Sequence, residues 1–144
     1  MIKHIWSILC DSSSIDGESN KVSLFNVLES LTVYGNPEQV YGIPIKFEVI
    51  TLWERTGETP VEGVMRLMQI KPDGESSNPL EVKIDLSKSH FHRTRISIQG
   101  LPLAGPGRYV YQVESKEEEA DWQKVAELPI LINFEEPKSN TQDS

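Results

Sequence analysis

The chain has 144 residues, 38% hydrophobic and 25% charged, the composition of one globular domain large enough to bury its own core. A formal net charge of −8 repels phosphate backbones and anionic headgroups, so neither nucleic acid nor a membrane is an expected partner. A single cysteine, Cys10, excludes an intramolecular disulfide, and no stretch approaches the ~20 apolar residues of a membrane helix, so a cytoplasmic address is expected.

Ile2 to Cys10 reads as the first strand, apolar on both faces and therefore interior to a sheet, with Cys10 as a small buried hydrophobe. A run of serines with Asp11, Asp16 and Asn20 follows, side chains that bond their own backbone and favour turns. Val22 to Tyr34 carries helix-compatible spacing but strand-forming residues; it is expected as one strand, bulged near Asn26. Ile45 to Glu54, Gly63 to Ile70, Leu80 to Leu86 and His90 to Gln99 each alternate in strand fashion, and Lys71-Pro-Asp-Gly74 is a strong turn. In Leu80 to Leu86 the inward residues are Leu80, Val82, Ile84 and Leu86.

The stretch Gly100 to Val113 organises the chain. Its first half is a turn in which Gly100, Pro102, Gly105, Pro106 and Gly107 forbid a helix; its second half is a strand with Tyr109, Tyr111 and Val113 on one face. Glu114 to Asp121 is a charged connection, and Trp122 to Phe134 is the last strand, placed at an edge or broken where Pro129 removes a ladder donor. Seven to eight short strands and no helix predict an all-β, antiparallel two-sheet sandwich, immunoglobulin-like or a related Greek key, spanning residues 1–134. Residues 135–144 have no apolar side chain and are expected to be a disordered tail.

Two phrases carry a resemblance. Leu9-Cys-Asp11 followed by Lys21-Val-Ser-Leu24, with Gly100-Leu-Pro-Leu103 and Pro106-Gly-Arg-Tyr-Val-Tyr111 later, resembles a family of small uncharacterised bacterial proteins. Those proteins share an opening LCD strand, a K-(L/V)-S-L strand and a GLP…PGxYxF strand. The resemblance covers residues 1–134 and departs in the acidic run Glu114 to Asp121 and in the polar tail. It implies a fold and no activity.

Chemical signatures are few. His90 and His92 share one strand face, as paired imidazoles do in small β-barrel metal sites, but the only other histidine is His4, and Arg93 and Arg95 oppose a cation there. The loop from Ser12 lacks the first and last acidic ligands of a calcium loop, and no Gly-x-Ser-x-Gly elbow supports a serine nucleophile. The aromatics Trp6, Trp53, Trp122, Tyr41, Tyr109 and Tyr111 invite a sugar-stacking reading, although a sandwich buries most such rings.

Since Ile96 and Ile98 face inward, Phe91, Arg93 and Arg95 face out together, a guanidinium pair beside an aromatic that can grip a carboxylate or an acidic segment. The competing reading is a solvated face paired with glutamates on the next strand. The sequence therefore points to a non-catalytic binding or assembly module for another protein, or one that self-associates through an edge strand, with no cofactor. The alternative is a small-ligand or metal-dependent enzyme centred on His90 and His92.

Overall fold

The structure is a computed structural model and describes residues 1–136. They form nine strands: β1 (Ile2–Ile15), β2 (Val22–Val27), β3 (Ser30–Tyr34), β4 (Gly42–Arg55), β5 (Val61–Ile70), β6 (Leu80–Leu86), β7 (Phe91–Pro102), β8 (Gly107–Glu117) and β9 (Gln123–Glu135). A four-stranded sheet, β2-β1-β4-β7, faces a five-stranded sheet, β3-β9-β8-β5-β6. The expectation of a two-sheet β-sandwich holds, with two corrections. There are nine strands among the described residues where seven to eight were expected, and one pairing, β3 with β9, is parallel.

Both corrections arise in one place. Val22 to Tyr34 is two strands, broken at Leu28 and Glu29 shortly after Asn26 takes a left-handed φ of 55°, which asparagine tolerates better than most residues. Leu28 N–H then bonds the Leu9 carbonyl while the Glu29 carbonyl accepts from Leu131 N–H, so the chain steps from one sheet to the other within two residues. That step closes this side of the sandwich.

Pro129 lies in an interior strand, not at an edge, since β9 is flanked by β8 and β3. Leu131 N–H points toward β3, so the same-parity position 129 also faces that side, one step before β3 begins. No ladder donor is needed there, and proline costs nothing. At the other end of β9, Glu135 belongs to the strand, and its carbonyl accepts from Gly35 N–H at 2.9 Å. Of the expected tail, residues 137–144 lie outside the described residues.

Trp53, Phe47, Met65, Tyr109, Ile84, Ile130 and Ile132 fill the space between the sheets, and the Phe47 and Tyr111 rings meet edge to face at 5.5 Å. Cys10 is fully buried, and burial pushes its thiol pKa up. Of the inward residues expected on β6, Leu80 is exposed; it lies at the strand's first position, where the sandwich opens.

The turn at Lys71 to Gly74 forms as expected, with Gly74 N–H on the Lys71 carbonyl at 2.9 Å and Gly74 at a φ of 91°. The Gly100 to Val113 stretch differs in one respect. Gly100 to Pro102 is the end of β7, where Leu101 and Pro102 pair with Ile43 and Gly42, and the turn is confined to Leu103 to Pro106. Tyr109 clasps that turn: its hydroxyl donates to the Gly105 carbonyl at 2.6 Å and accepts from Ala104 N–H at 2.7 Å. With the β1–β9 side closed, β6 and β7 remain as neighbouring edges, near one another but joined by no ladder.

Candidate functional site

Phe91, Arg93 and Arg95 lie on β7, the outermost strand of its sheet, and share the outer face. Phe91 is 54% exposed. Arg95 is engaged on-chain: Nε donates to Ser13 Oγ at 2.9 Å, Nη2 donates to the Ser13 carbonyl at 3.3 Å and lies 3.8 Å from Glu48. Arg93 reaches the Asn20 carbonyl with Nη2 at 3.2 Å, while its buried Nε has no partner among the described residues. The long β1–β2 hairpin thus hangs over the arginine face.

The same residues carry the open backbone edge. The His90 carbonyl accepts from Arg55 N–H, and the register runs unbroken from Glu54–Phe91 to Phe47–Ile98. Hydrogen-bonded pairs in such a ladder recur every second residue, so even-numbered residues bond β4. Phe91, Arg93, Arg95 and Ser97 therefore point their N–H and C=O groups away from β4, beyond the sheet.

The histidines are not brought into one site. His90 precedes β7, is exposed, and lies 3.5 Å from Arg55 Nη2, a cation. His92 is half-buried on the opposite face from Arg93; burial lowers its pKa below the ordinary 6.5, with the Asp85 carboxylate opposing part of that shift. His4 packs edge-on against Trp53 at 5.5 Å and bonds Ser7 Oγ at 2.8 Å. Among the described residues no three of His, Cys, Asp and Glu are placed to hold one metal ion.

A cleft of about 320 Å³ opens where the β5–β6 connection meets the end of β7. Leu67, Leu80, Ile98 and Tyr111 form its apolar part; Gln69, Ser77 and Asn78 add amides and a hydroxyl. No lining residue carries a charge. Gln69 is only 4% exposed: its Nε2 donates to the Pro102 carbonyl at 2.9 Å, its backbone N–H bonds Ser77 Oγ at 2.8 Å, and its Oε1 has no partner among the described residues. Tyr111, equally buried, has its hydroxyl beside that amide, and burial raises its pKa far above the ordinary tyrosine range. Sequence reasoning did not single out this cleft. Its one signal was Gln69 in phase with Met65 and Leu67, a polar residue on an apolar strand face.

No protein-family description matches the chain, and no curated protein matches it. Among solved structures it is similar to a family 123 glycoside hydrolase from Clostridium perfringens, at 12% identity and a TM-score of 0.46 over 92% of this chain. It is also similar to the β-glucosidase EmGH1 from Erythrobacter marinus, at 10% identity and a TM-score of 0.45 over 91% of this chain. The chain spans only 27% and 15% of those two proteins. A third similar structure is the C-terminal domain of wzt, at 11% identity and a TM-score of 0.51, over 99% of this chain and 84% of that one. At that identity the likeness extends to the fold alone.

Proposed function

We propose that this chain is a non-catalytic, immunoglobulin-like binding module that docks an extended acidic segment of another protein by strand addition to β7. The observation that carries the reading is the coincidence on Phe91, Arg93 and Arg95 of backbone edge groups unpaired among the described residues and outward side chains. Main-chain bonds would supply affinity, and carboxylates at alternate positions would meet Arg93 and Arg95 across the new ladder. The partner's acidity follows from charge. Antiparallel pairing of β7 with a second copy sets arginines against arginines, which is repulsive, whereas an acidic strand is attracted.

Two features support the immunoglobulin-like part. The order β9-β8-β5-β6 reproduces the run of strands on one sheet of a variable-type domain, opposite the β4–β7 pair. The Tyr109 clasp at the start of β8 has the form of the tyrosine corner in such sandwiches.

Amide hydrogen exchange on the whole chain tests the proposal, with an eight-residue alternating Glu-Val peptide as probe and a Lys-Val peptide as control. The acidic peptide should slow exchange at Phe91, Arg93, Arg95 and Ser97 and leave His92 and Thr94, already bonded to β4, unchanged. Loss of the effect in Arg93→Glu/Arg95→Glu is expected. Equal protection by both peptides, or none by either, rejects strand addition by an acidic segment.

A further inference from the structure

We infer that the uncharged cleft between the β5–β6 connection and the end of β7 is a binding site for a neutral, hydroxyl-bearing small molecule of the sugar-ring type. The inference is independent of the peptide edge and starts from Gln69. The Pro102 carbonyl can only accept, so the Gln69 amide cannot be flipped without opposing two oxygens, and Oε1 is fixed as an acceptor. That acceptor is buried, belongs to a residue that lines the cleft, and makes no hydrogen bond among the described residues, the Tyr111 hydroxyl beside the amide included. Buried polar groups are satisfied in the great majority of cases, so the exception calls for a partner from outside the chain. A hydroxyl hydrogen is such a donor.

The other walls narrow the class. A quarter of this chain is charged, yet the cleft lining carries no charge at all, so an ionic ligand would be desolvated there without a counter-charge. The apolar lining residues Leu67, Leu80, Ile98 and Tyr111 stand beside Ser77 and Asn78, polar residues of the β5–β6 connection. A ligand with a C–H face and a hydroxyl rim satisfies both; a plain hydrocarbon leaves the amides and Oε1 unpaired. The volume, about 320 Å³, is at the small end of the range for ligand pockets.

The test is a nitrogen-15 NMR titration of the full chain with neutral methyl hexosides and N-acetylhexosaminides, against glucuronate as charged counterpart and hexanol as apolar one. Saturable shifts are expected at the side-chain amides of Gln69 and Asn78 with at least one neutral glycoside, and not with glucuronate or hexanol. Gln69→Met, which keeps length and removes both polar atoms, should weaken that binding by about tenfold or more. If Gln69→Met does not fold, Asn78→Phe, which places bulk at an exposed position of the lining, should give the same loss. Arg93→Glu/Arg95→Glu should leave the titration unchanged, separating this site from the β7 edge. The inference is overturned if no neutral glycoside saturates, if glucuronate or hexanol moves the same signals equally, or if the cleft variants bind as the parent does.

Discussion

Arg95 and Glu48 lie 3.8 Å apart on adjacent strands and are tied together by Ser13, whose hydroxyl donates to Glu48 Oε1 at 2.6 Å and accepts from Arg95 Nε at 2.9 Å. The pair does more than neutralise an edge. Because Ser13 belongs to β1, two strands away from β7 in the sheet order, the contact folds the β1–β2 hairpin down onto the outer face. Arg95 is more than a third exposed, so solvent screening keeps its worth small: Arg95→Ala should cost about 1 kcal/mol. Urea denaturation checks that figure. Hydrogen exchange should show the larger effect, faster opening of Ser12 to Ser23, and an unchanged hairpin would remove Ser13–Arg95 as its anchor.

Tyr109→Phe should be costlier than its single lost atom suggests. The hydroxyl serves both the Ala104 N–H and the Gly105 carbonyl, so its removal orphans a donor and an acceptor inside a tight turn. A loss of about 2 kcal/mol in chemical denaturation is expected. A loss within a few tenths would mean that water replaces the hydroxyl and that the turn stands on Gly105 and Pro106 alone.

Much of this fold is legible in the chain itself, because a period of two with one face apolar leaves little choice. Met65, Leu67, Ile84, Tyr109 and Val113 all fall on the face their phase assigns. What escapes is whatever depends on a neighbour in space. Pattern alone does not show that Val27 and Ser30 belong to different sheets, since both segments are strand-like and only Leu28 and Glu29 separate them. Pro129 misleads for the same reason: its harmlessness depends on where β3 begins, not on β9. The arginine face is legible because Ile96 and Ile98 fix its phase. The cleft is not, because its lining comes from β5, the β5–β6 connection, β7 and β8, segments that only the fold unites.

Stability should decline as pH falls through the histidine range. Burial lowers the folded-state pKa of both His4 and His92 below the ordinary 6.5. Between the folded and unfolded values the unfolded chain binds more protons, so acid favours unfolding. Stability is therefore greatest above about 6.5, falls as the pH drops below it, and loses no more from these groups once the folded values are passed. Denaturation midpoints at a series of pH values for the parent and for His4→Gln/His92→Gln would show the slope flattening in the variant. A slope that persists would assign it to carboxylates such as Asp85, whose pKa is lowered chiefly by the Ser87 hydroxyl and backbone N–H and which matter at lower pH.

Gly63 is required for room, not for an unusual backbone. It pairs with Ile84 on one side and Glu117 on the other, in the middle of the five-stranded sheet. A Cβ there would stand 2.5 Å from Ile2 Cδ1 and 2.7 Å from the Lys116 carbonyl oxygen. The first contact is with the end of a flexible side chain and can swing aside. The second is with backbone held in the β5–β8 ladder, and it can yield only if that ladder shifts. Gly63→Ala should therefore cost about 2 kcal/mol, a fall of about 6 °C in Tm. Shortening the movable neighbour separates the two contributions: Ile2→Val in the Gly63→Ala background should recover only a minor part of the loss. Full recovery would place the strain on Ile2 and acquit the ladder, and a Gly63→Ala chain as stable as the parent would dismiss the close approach altogether.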